Sequence, residues 1–409
     1  MKTILLGLTL FASFARAESW NGNNNPANMD TYNYRFDQMP LSGAVEPAHM
    51  PWSDNYWESD WGGISLRWSS LTVRQRDPDL LEYDSINRDA LFQYAPPSLG
   101  RLKQMSRDEL VKLSPAEKYD ILMSRYDYPT VNAERTRVDP SIPNWQGLCH
   151  GWVPASINNP EPMPTDVMNA DGILIPFGSS DLKGLMTYYY GVIAYDFARG
   201  EGGIAKNNNY LDVLNQPAFS SPLTAFNFAA GSLASRFLEN AFFSQIERPR
   251  PKPTGYQNVV GQIGVHTSLN DPNPGAFHVV MANQLGLMHQ AFAGNLNLTV
   301  HPNEIWNQPI SSFTSKVDYD HRSPYGGNVG ITTSLTFVTE IPQTWDAVVG
   351  TPNQRFKTMI FSYDLEVDSD GMITGGRWRA GIHPNFLWNH HHIPVLGYYS
   401  KLNDIFHSK

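Results

Sequence analysis

The sequence predicts an α+β fold with a helical half followed by an antiparallel sheet half. Two capping boxes, at 106–109 and 114–117, mark helix starts in the first half, and the second box has Pro115 at the first helical position. Runs rich in β-branched and aromatic residues follow at 331–339, 358–367 and 372–378. Helices first and strands later are typical of an α+β domain.

The remaining elements follow from local helix and strand signals. The helix that starts at Pro115 is expected to run to about Tyr126 and to end before Pro129. A short helix is expected to begin at Cys149, after a proline-rich extended stretch, and to end at Pro154 or at the turn 158–160. Longer helices are predicted over 180–197 and 224–246, and a buried strand over 277–282.

By composition the chain divides into three parts. Residues 1–17 carry Lys2, an apolar stretch and an Ala-Arg-Ala ending, which is the pattern of a secretory signal peptide. We therefore expect a secreted protein, extracellular or periplasmic. Residues 18–100 are rich in aromatic residues and turn formers, and they either pack on the core or cover the active site until they move or are cut. Residues 101–409 are assigned to one catalytic domain.

The net charge is strongly negative. Removing Lys2 and Arg16 with the signal leaves 28 of the 30 basic side chains against 39 acidic ones, a net charge of −11. Nucleic acid and anionic lipid repel such a protein, which disfavours both as partners. No stretch after the signal has the ~20 consecutive apolar residues that a membrane-spanning helix needs.

Cys149 is the only cysteine in the 409 residues, and it lies in the segment 146–152, QGLCHGW. Reactivity, more often than packing, decides whether a free cysteine is kept. A helix N-terminus lowers the pKa of a thiol and offers backbone amides to an oxyanion. We therefore predict that Cys149 is a nucleophile, the alternative being a buried structural cysteine. His150 is a poor base for it, because consecutive side chains on a helix diverge by about 100°.

The general base is expected from elsewhere in the chain. His278 follows Cys149 by 129 residues, close to the ~130–150 residues that separate Cys and His in papain-like enzymes. A third group should orient the imidazole and fix its tautomer. The candidates for that group are carboxamides and carboxylates: Asn307 first, then Asp318 and Asp320, then Asn283.

Four segments carry a resemblance to a known family. They are 146–152 (QGLCHGW), 175–181 (IPFGSSD), 273–278 (NPGAFH) and 305–310 (IWNQPI). Together they resemble the transglutaminase elicitor family of oomycete plant pathogens and some marine bacteria. Further similarity at 51–57, 118–122 and 377–388 extends the resemblance over most of the chain after the signal.

The resemblance implies a papain-like, transglutaminase-like cysteine core that transfers acyl groups. By that implication Cys149 attacks the side-chain amide of a protein glutamine, and ammonia leaves after protonation by His278. A protein lysine or a small primary amine then takes the acyl group, with Asn307 as the third catalytic residue. The segment 305–310 resembles the start of the family's surface peptide, which plants perceive, but the similarity fades after Ile310.

Two other classes of function remain open from the residues. A cysteine peptidase or glutamine deamidase would form the same acyl-enzyme and use water as the acceptor. A non-catalytic, elicitor-like surface protein would keep the frame of the site without its reaction. Acceptor access separates the enzymes, and thiol reactivity separates enzyme from binding protein.

An acidic run near the C-terminus resembles a fragment of a calcium loop. Its members alternate along the chain: Asp364, Glu366, Asp368 and Asp370. No bidentate Glu follows at the spacing of an EF-hand, and Asp-Gly between two strand-like runs indicates a hairpin turn. We predict the turn and keep weak Ca²⁺ binding as the alternative; the sequence requires no other cofactor.

Overall fold

The computed structural model describes residues 25–70, 92–193, 208–210, 272–296, 304–379, 383–390 and 392–407. The expected signal peptide and the helix predicted at 224–246 lie outside the described residues. No helix within these ranges is both long enough and apolar enough to cross a membrane.

The helices of the described part are mostly short, and six of the eight lie in the first half of the chain. They are α1 (Leu99–Leu102), α2 (Arg107–Val111), α3 (Pro115–Leu122), α4 (Pro129–Arg137), α5 (Cys149–Asn158), α6 (Ser179–Tyr188), α7 (Pro274–Met281) and α8 (Ser400–Phe406). Both α6 and α7 continue into a π-helical turn, at Tyr189–Ile193 and Ala282–Leu287. Single 3₁₀ turns occupy Pro26–Asn28, Phe36–Gln38, Pro47–His49, Ser59–Trp61, Gly63–Ser65 and Gly397–Tyr399.

Both predicted capping boxes are confirmed. Ser106 and Ser114 each accept a hydrogen bond from the backbone N–H three residues later, and Glu109 and Glu117 return the bond through their carboxylates. These reciprocal bonds satisfy two backbone donors that a helix start otherwise leaves without partners. They fix the starts of α2 and α3, although α3 ends at Leu122, earlier than the sequence predicts.

One large antiparallel sheet forms the second half of the molecule. Its strands are β1 (Ser42–Ala44), β4 (Asn208–Tyr210), β5 (Phe292–Asn295), β6 (Asn307–Asp320), β7 (Gly327–Val338), β8 (Phe356–Val367), β9 (Ile373–Trp378) and β10 (Phe386–His390). The spatial order is β4-β10-β5-β6-β7-β8-β9, with β1 beside β6. A separate hairpin joins β2 (Thr165–Met168) and β3 (Leu174–Phe177). The three strands predicted at 331–339, 358–367 and 372–378 are confirmed as β7, β8 and β9.

Buried side chains lie on both sides of this sheet. Phe337 and Val338 are consecutive in β7, yet they belong to different clusters of buried apolar side chains. This follows from the period of two along a strand, which sends neighbouring side chains to opposite faces. Helix α5 belongs to the first cluster, with α3, α6 and α8, whereas α7 belongs to the second.

The stretch 277–282, predicted as a strand, is helical, and the prediction is wrong. It lies in α7, where Pro274 occupies the first turn and the Asn273 side chain accepts a hydrogen bond from the N–H of Gly275. This N-terminal cap outweighs the strand propensity of the Phe and Val residues that follow. A Cβ at Gly275 would lie 2.5 Å from the Gly375 carbonyl oxygen, so α7 packs directly on β9.

The described aromatic residues of the N-terminal region pack inside the molecule. Trp52 and Trp57 are 0% and 2% exposed. The Trp52 indole donates to the carbonyl of Asn159, and the Trp152 indole on α5 donates to the carbonyl of Trp52. Trp52 and Trp57 thus pack on the core, and removing these rings would empty the space beneath α5; the two alternatives for residues 18–100 as a whole stay a prediction.

Candidate functional site

Cys149 is the first residue of α5, as the sequence predicts. The helix continues through Pro154 to Asn158, so the proline does not end it. The residue before the cysteine is held in place, because the N–H of Leu148 donates to the Tyr56 carbonyl at 2.5 Å. Gly147 allows this approach, since a Cβ there would lie 2.5 Å from the same oxygen.

The sulfur of Cys149 contacts the first residues of β6. Asn307 Nδ2 donates to Sγ at 3.6 Å, and the thiol donates to the carbonyl of Ile305 at 3.7 Å. The Trp388 indole donates in turn to Asn307 Oδ1 at 3.0 Å. Asn307 is 2% exposed, so its carboxamide is fixed by partners on both of its polar atoms. The structure thus brings two of the three predicted catalytic residues together.

Burial and hydrogen bonding act in opposite directions on the thiol. Burial raises the pKa of Cys149 from 9.0 to about 11, and the Glu340 carboxylate adds to the rise. Hydrogen bonds from the backbone and side chain of Asn307 and from the backbone of His150 oppose it. At neutral pH the sulfur is therefore almost entirely a thiol, although three N–H groups are placed to stabilise its anion.

The raised pKa predicts how fast Cys149 reacts with iodoacetamide. The rate of alkylation is expected to be low near pH 7 and to rise about tenfold per pH unit up to about pH 11, because only the thiolate reacts. Intact-mass measurement follows the adduct without ambiguity, since the chain has one cysteine. The urea-unfolded chain is the control, and its rate should level off near the usual thiol pKa. A folded protein whose rate is already maximal below pH 8 would contradict this geometry.

His278 lies in α7 and contacts a residue of β8 and one of the N-terminal region. Its Nδ1 is 2.8 Å from the Tyr363 hydroxyl, and its ring lies 6.1 Å from that of Phe36. The imidazole is 0% exposed, and burial lowers its pKa to about 4, so it is neutral at physiological pH. The Tyr363 hydroxyl also contacts Thr333 at 2.8 Å, and Thr333 contacts Ser315 at 2.7 Å. The imidazole therefore ends a buried chain of hydroxyl groups.

The predicted contact between Cys149 and His278 is absent, and this expectation is corrected. Tyr363 pairs with Ile331, and Ile331 pairs with Val317. Val317 follows Asn307 by ten residues on the same strand, which at ~3.3 Å per residue is roughly 30 Å. His278 is thus at the opposite end of β6 from the sulfur, and in the opposite buried cluster.

The alternative third groups are also remote from the sulfur. Asp318 and Asp320, at the far end of β6, form ion pairs with Arg379 at 2.5 Å and Arg322 at 2.7 Å. Asn283 holds the N-terminal region instead, because its side chain accepts from the N–H of Asn33 and donates to its carbonyl, both at 2.8 Å. Of the candidates for this role, Asn307 alone contacts Cys149.

The acidic run 364–370 forms the end of β8 and a turn. Asp368 Oδ1 accepts the N–H groups of Asp370 and Met372, both at 2.9 Å, and Gly371 has φ of +79°. Asp364 accepts from the Tyr319 hydroxyl at 2.6 Å. The structure therefore shows the predicted hairpin. Within the described ranges, no group of three or more His, Cys, Asp or Glu residues is arranged to hold a metal ion.

Sequence reasoning missed a polar pair at the start of β6, one member of which acts through its charge on the Cys149 thiol. Gln308 follows Asn307, and its Nε2 donates to Glu340 Oε1 at 2.7 Å. Glu340 is half-buried, and burial raises the pKa of its carboxyl group. A glutamine within a strand and a glutamate just past the end of another carry no signal of their own. The IWNQPI motif, which contains Gln308, was the nearest indication.

The fold and the site define an α+β protein with helices against both faces of an antiparallel sheet and a lone thiol at a helix N-terminus. A family model described as "Transglutaminase elicitor" matches residues 30–198 and 254–398. Because these segments make up more than half of the chain, the protein belongs to the transglutaminase elicitor family. The resemblance in the sequence is thereby confirmed. Comparison with the curated proteins gives no match.

Among solved structures, the chain is similar to the GP42 transglutaminase of Phytophthora sojae. The TM-score is 0.54 at 17% sequence identity, and the similarity covers 95% of this chain and 98% of that one. At this identity the likeness shows a shared fold of helices and antiparallel strands. The papain-like core stays a prediction.

Proposed function

We propose that the protein is a secreted transglutaminase, a protein-glutamine γ-glutamyltransferase that joins glutamine side chains to primary amines. The observation that carries the proposal is the convergence of three N–H groups on Cys149 Sγ: the side chain and backbone of Asn307 and the backbone of His150. Donors placed in this way stabilise a thiolate and the oxyanion that follows it. The family of the chain supports acyl transfer, and residues 1–17 support secretion.

The reaction begins when the Cys149 thiolate attacks the side-chain carbonyl carbon of glutamine. The carbon–sulfur bond forms, the carbon–nitrogen bond breaks, and the nitrogen leaves as ammonia after taking up a proton from solvent, which balances the proton that the thiol lost to solvent on ionisation. None of the imidazoles in the described ranges hydrogen-bonds to the sulfur, so in this proposal the rate follows ionisation of the thiol itself and rises with pH. A primary amine then attacks the thioester and displaces the sulfur, which gives the isopeptide bond.

A pair of half-buried aromatic rings on the segments that flank the sulfur favours an amine as the acceptor. Tyr56 and Trp306 pack edge to face with ring centroids 5.7 Å apart, and both belong to segments that contact Cys149 or Leu148. Aromatic walls exclude water from a thioester more effectively than a polar cleft does. Water as the acceptor would make the protein a deamidase or peptidase, and that outcome is measured in the same assay.

A non-catalytic, elicitor-like surface protein is the second candidate function. It is favoured by the raised pKa of Cys149 and by the location of His278 at the far end of the sheet. In that case the contacts of the sulfur serve packing alone. The protein would bind its partner equally well after Cys149 is blocked.

The deciding experiment incubates the full chain with a glutamine-containing protein and a fluorescent primary amine, with and without Ca²⁺. Incorporated fluorescence reports transfer, and released ammonia reports the sum of transfer and hydrolysis. The proposal expects incorporation that rises with pH and disappears when iodoacetamide has alkylated Cys149. Ammonia without incorporation would identify a hydrolase, and neither product would favour the binding protein.

Replacement of Asn307 tests its role in the proposed site. We expect Asn307→Ala to lower amine incorporation by about a hundredfold or more, because it removes a donor from the sulfur and leaves the Trp388 indole without its acceptor. Asp318→Ala and Asp320→Ala are the matched controls on the same strand. They should stay within about twofold of wild type, since their ion pairs are exposed and distant. Equal losses in all three variants would argue for a purely structural effect of β6.

A further inference from the structure

A pair of polar side chains, Gln308 and Glu340, is joined by a hydrogen bond at the start of β6, and the acylation step does not use it. Gln308 is 0% exposed and directly follows Asn307, whose side chain contacts Cys149 Sγ. The Gln308 Nε2 donates to Glu340 Oε1 at 2.7 Å. Glu340 lies just past the C-terminal end of β7, so the two residues join the start of β6 to the exit of β7.

The carbonyl oxygen of the Gln308 side chain has no hydrogen-bond partner. Its Oε1 is buried, and no donor within the described ranges reaches it. Leaving a buried acceptor without a donor costs about 1–3 kcal/mol. The other end of the same carboxamide is occupied by Glu340, so the free oxygen lies next to a carboxylate. A ligand that donates hydrogen bonds would satisfy both groups together.

The charges around this position are mainly negative. Glu58 is 4% exposed and interacts with Glu340 by like-charge repulsion, which raises the pKa of the Glu340 carboxyl group. Lys357 acts in the opposite direction but is exposed to solvent. Glu340 is half-buried, so its side chain is not sealed completely from solvent. The Glu340 carboxylate and the unsatisfied Gln308 oxygen favour a ligand that carries positive charge and N–H donors.

We propose that Glu340 and Gln308 form the acceptor site that binds the ammonium group of the incoming lysine or primary amine. This inference rests on the proposed function, in which Cys149 carries the acyl group. An ammonium has three donors and no acceptor, which matches one carboxylate and one amide oxygen. The Glu340 carboxylate acts through its charge on the Cys149 thiol, so an amine that Glu340 binds is held near the thioester.

The site also provides the proton balance that an amine acceptor requires. The bound ammonium gives one proton to the Glu340 carboxylate and becomes a neutral amine. Its nitrogen then attacks the thioester carbon, the carbon–nitrogen bond forms, and the carbon–sulfur bond breaks with its electron pair on sulfur. The second proton of the nitrogen passes to the Cys149 thiolate, and Glu340 later releases its own proton to solvent.

The test compares two amines that differ in charge, with the glutamine protein at saturation. One is a fluorescent cadaverine derivative, whose free amine is protonated at about pH 8, and the other is 2,2,2-trifluoroethylamine, whose nitrogen is uncharged there. In Glu340→Gln the KM for the cadaverine derivative should rise about tenfold or more, because a charge-assisted hydrogen bond is lost. The KM for trifluoroethylamine should change by less than about twofold. Deamidation of glutamine should continue and take a larger share of the product.

Two further variants complete the design. Gln308→Met removes the free acceptor and should also raise the KM for the charged amine selectively. Glu366→Gln is the matched control, since burial also raises the pKa of that half-buried carboxyl group at the distant end of β8. Equal effects of Glu340→Gln on both amines, or on neither, would overturn this inference and leave the proposed function standing. Absence of incorporation and ammonia release with the wild-type chain would overturn both.

Discussion

Cys149→Ser is expected to abolish amine incorporation and ammonia release, with losses of at least about a thousandfold. The oxygen of serine is nearly isosteric with sulfur, but its proton is held far more tightly than that of a thiol whose pKa is already about 11. Triad-type nucleophiles act as a unit with their supporting groups, and their removal costs more than any single hydrogen bond. Initial rates of fluorescent amine incorporation measure the loss.

The same variant separates chemistry from folding. Cys149 is 5% exposed and its sulfur makes long hydrogen bonds, at 3.6 Å to Asn307 and 3.7 Å to Ile305, so the change to serine removes little packing. The midpoint of thermal unfolding should therefore stay close to that of wild type. Retained turnover in a well-folded Cys149→Ser protein would refute the nucleophile assignment. Loss of activity with a large drop in thermal midpoint would instead show that the thiol is structural.

Local signals predicted the start of the site well. Backbone donors at a helix start must find partners within a few residues, so the capping boxes and the extended stretch before Cys149 gave the correct starts of α2, α3 and α5. The contact of Asn307 with the sulfur spans 158 residues. The sequence predicts Asn307 as a member of the site, but as the group that orients His278, whereas the structure places its side chain on the sulfur.

The location of His278 could not be derived from spacing along the chain. A separation of 129 residues from Cys149 is compatible with either face and either end of a sheet whose strands run to fourteen residues. The Phe and Val residues around His278 indicated burial correctly, but burial does not determine the partner. The Asn273-Pro274 pair was the one local signal for a helix, and it lies just upstream of the stretch predicted as a strand.

The acceptor site proposed at Gln308 and Glu340 could not be predicted from the sequence, for a different reason. Glu340 follows the end of β7, a position at which a carboxylate is usually solvated. Glu340 is half-buried because the chain turns inward directly after it, where the N–H of Ile341 donates to the carbonyl of Asp54. Such a charge is recognisable from its surroundings in three dimensions and not from its neighbours in sequence.

Lys118→Met is expected to lower the free energy of unfolding by about 3–5 kcal/mol, the largest stability effect that the structure indicates. Lys118 on α3 and Asp181 on α6 form an ion pair at 2.6 Å, and both side chains are 0% exposed. Asp181 also accepts from the Trp68 indole and from the N–H of Gly178. Methionine fills the volume of lysine but leaves a buried carboxylate without its counter-charge. Urea unfolding followed by tryptophan fluorescence measures the change.

We attribute the loss of stability in Lys118→Met to the buried Asp181 carboxylate that is left without a counter-charge, and a second substitution tests this. Adding Asp181→Asn to Lys118→Met should recover part of the lost stability, because the amide oxygen can still accept from Trp68 and Gly178. Burial raises the pKa of Asp181, so its protonated form is favoured in the folded state and the deficit of the single variant should shrink as pH falls. Lys112→Met, an exposed change just after α2, should cost no more than about 0.5 kcal/mol. If Lys118→Met is as stable as wild type, the ion pair makes no net contribution to the free energy of unfolding. Replacement of buried ion pairs in other proteins is sometimes neutral in this way.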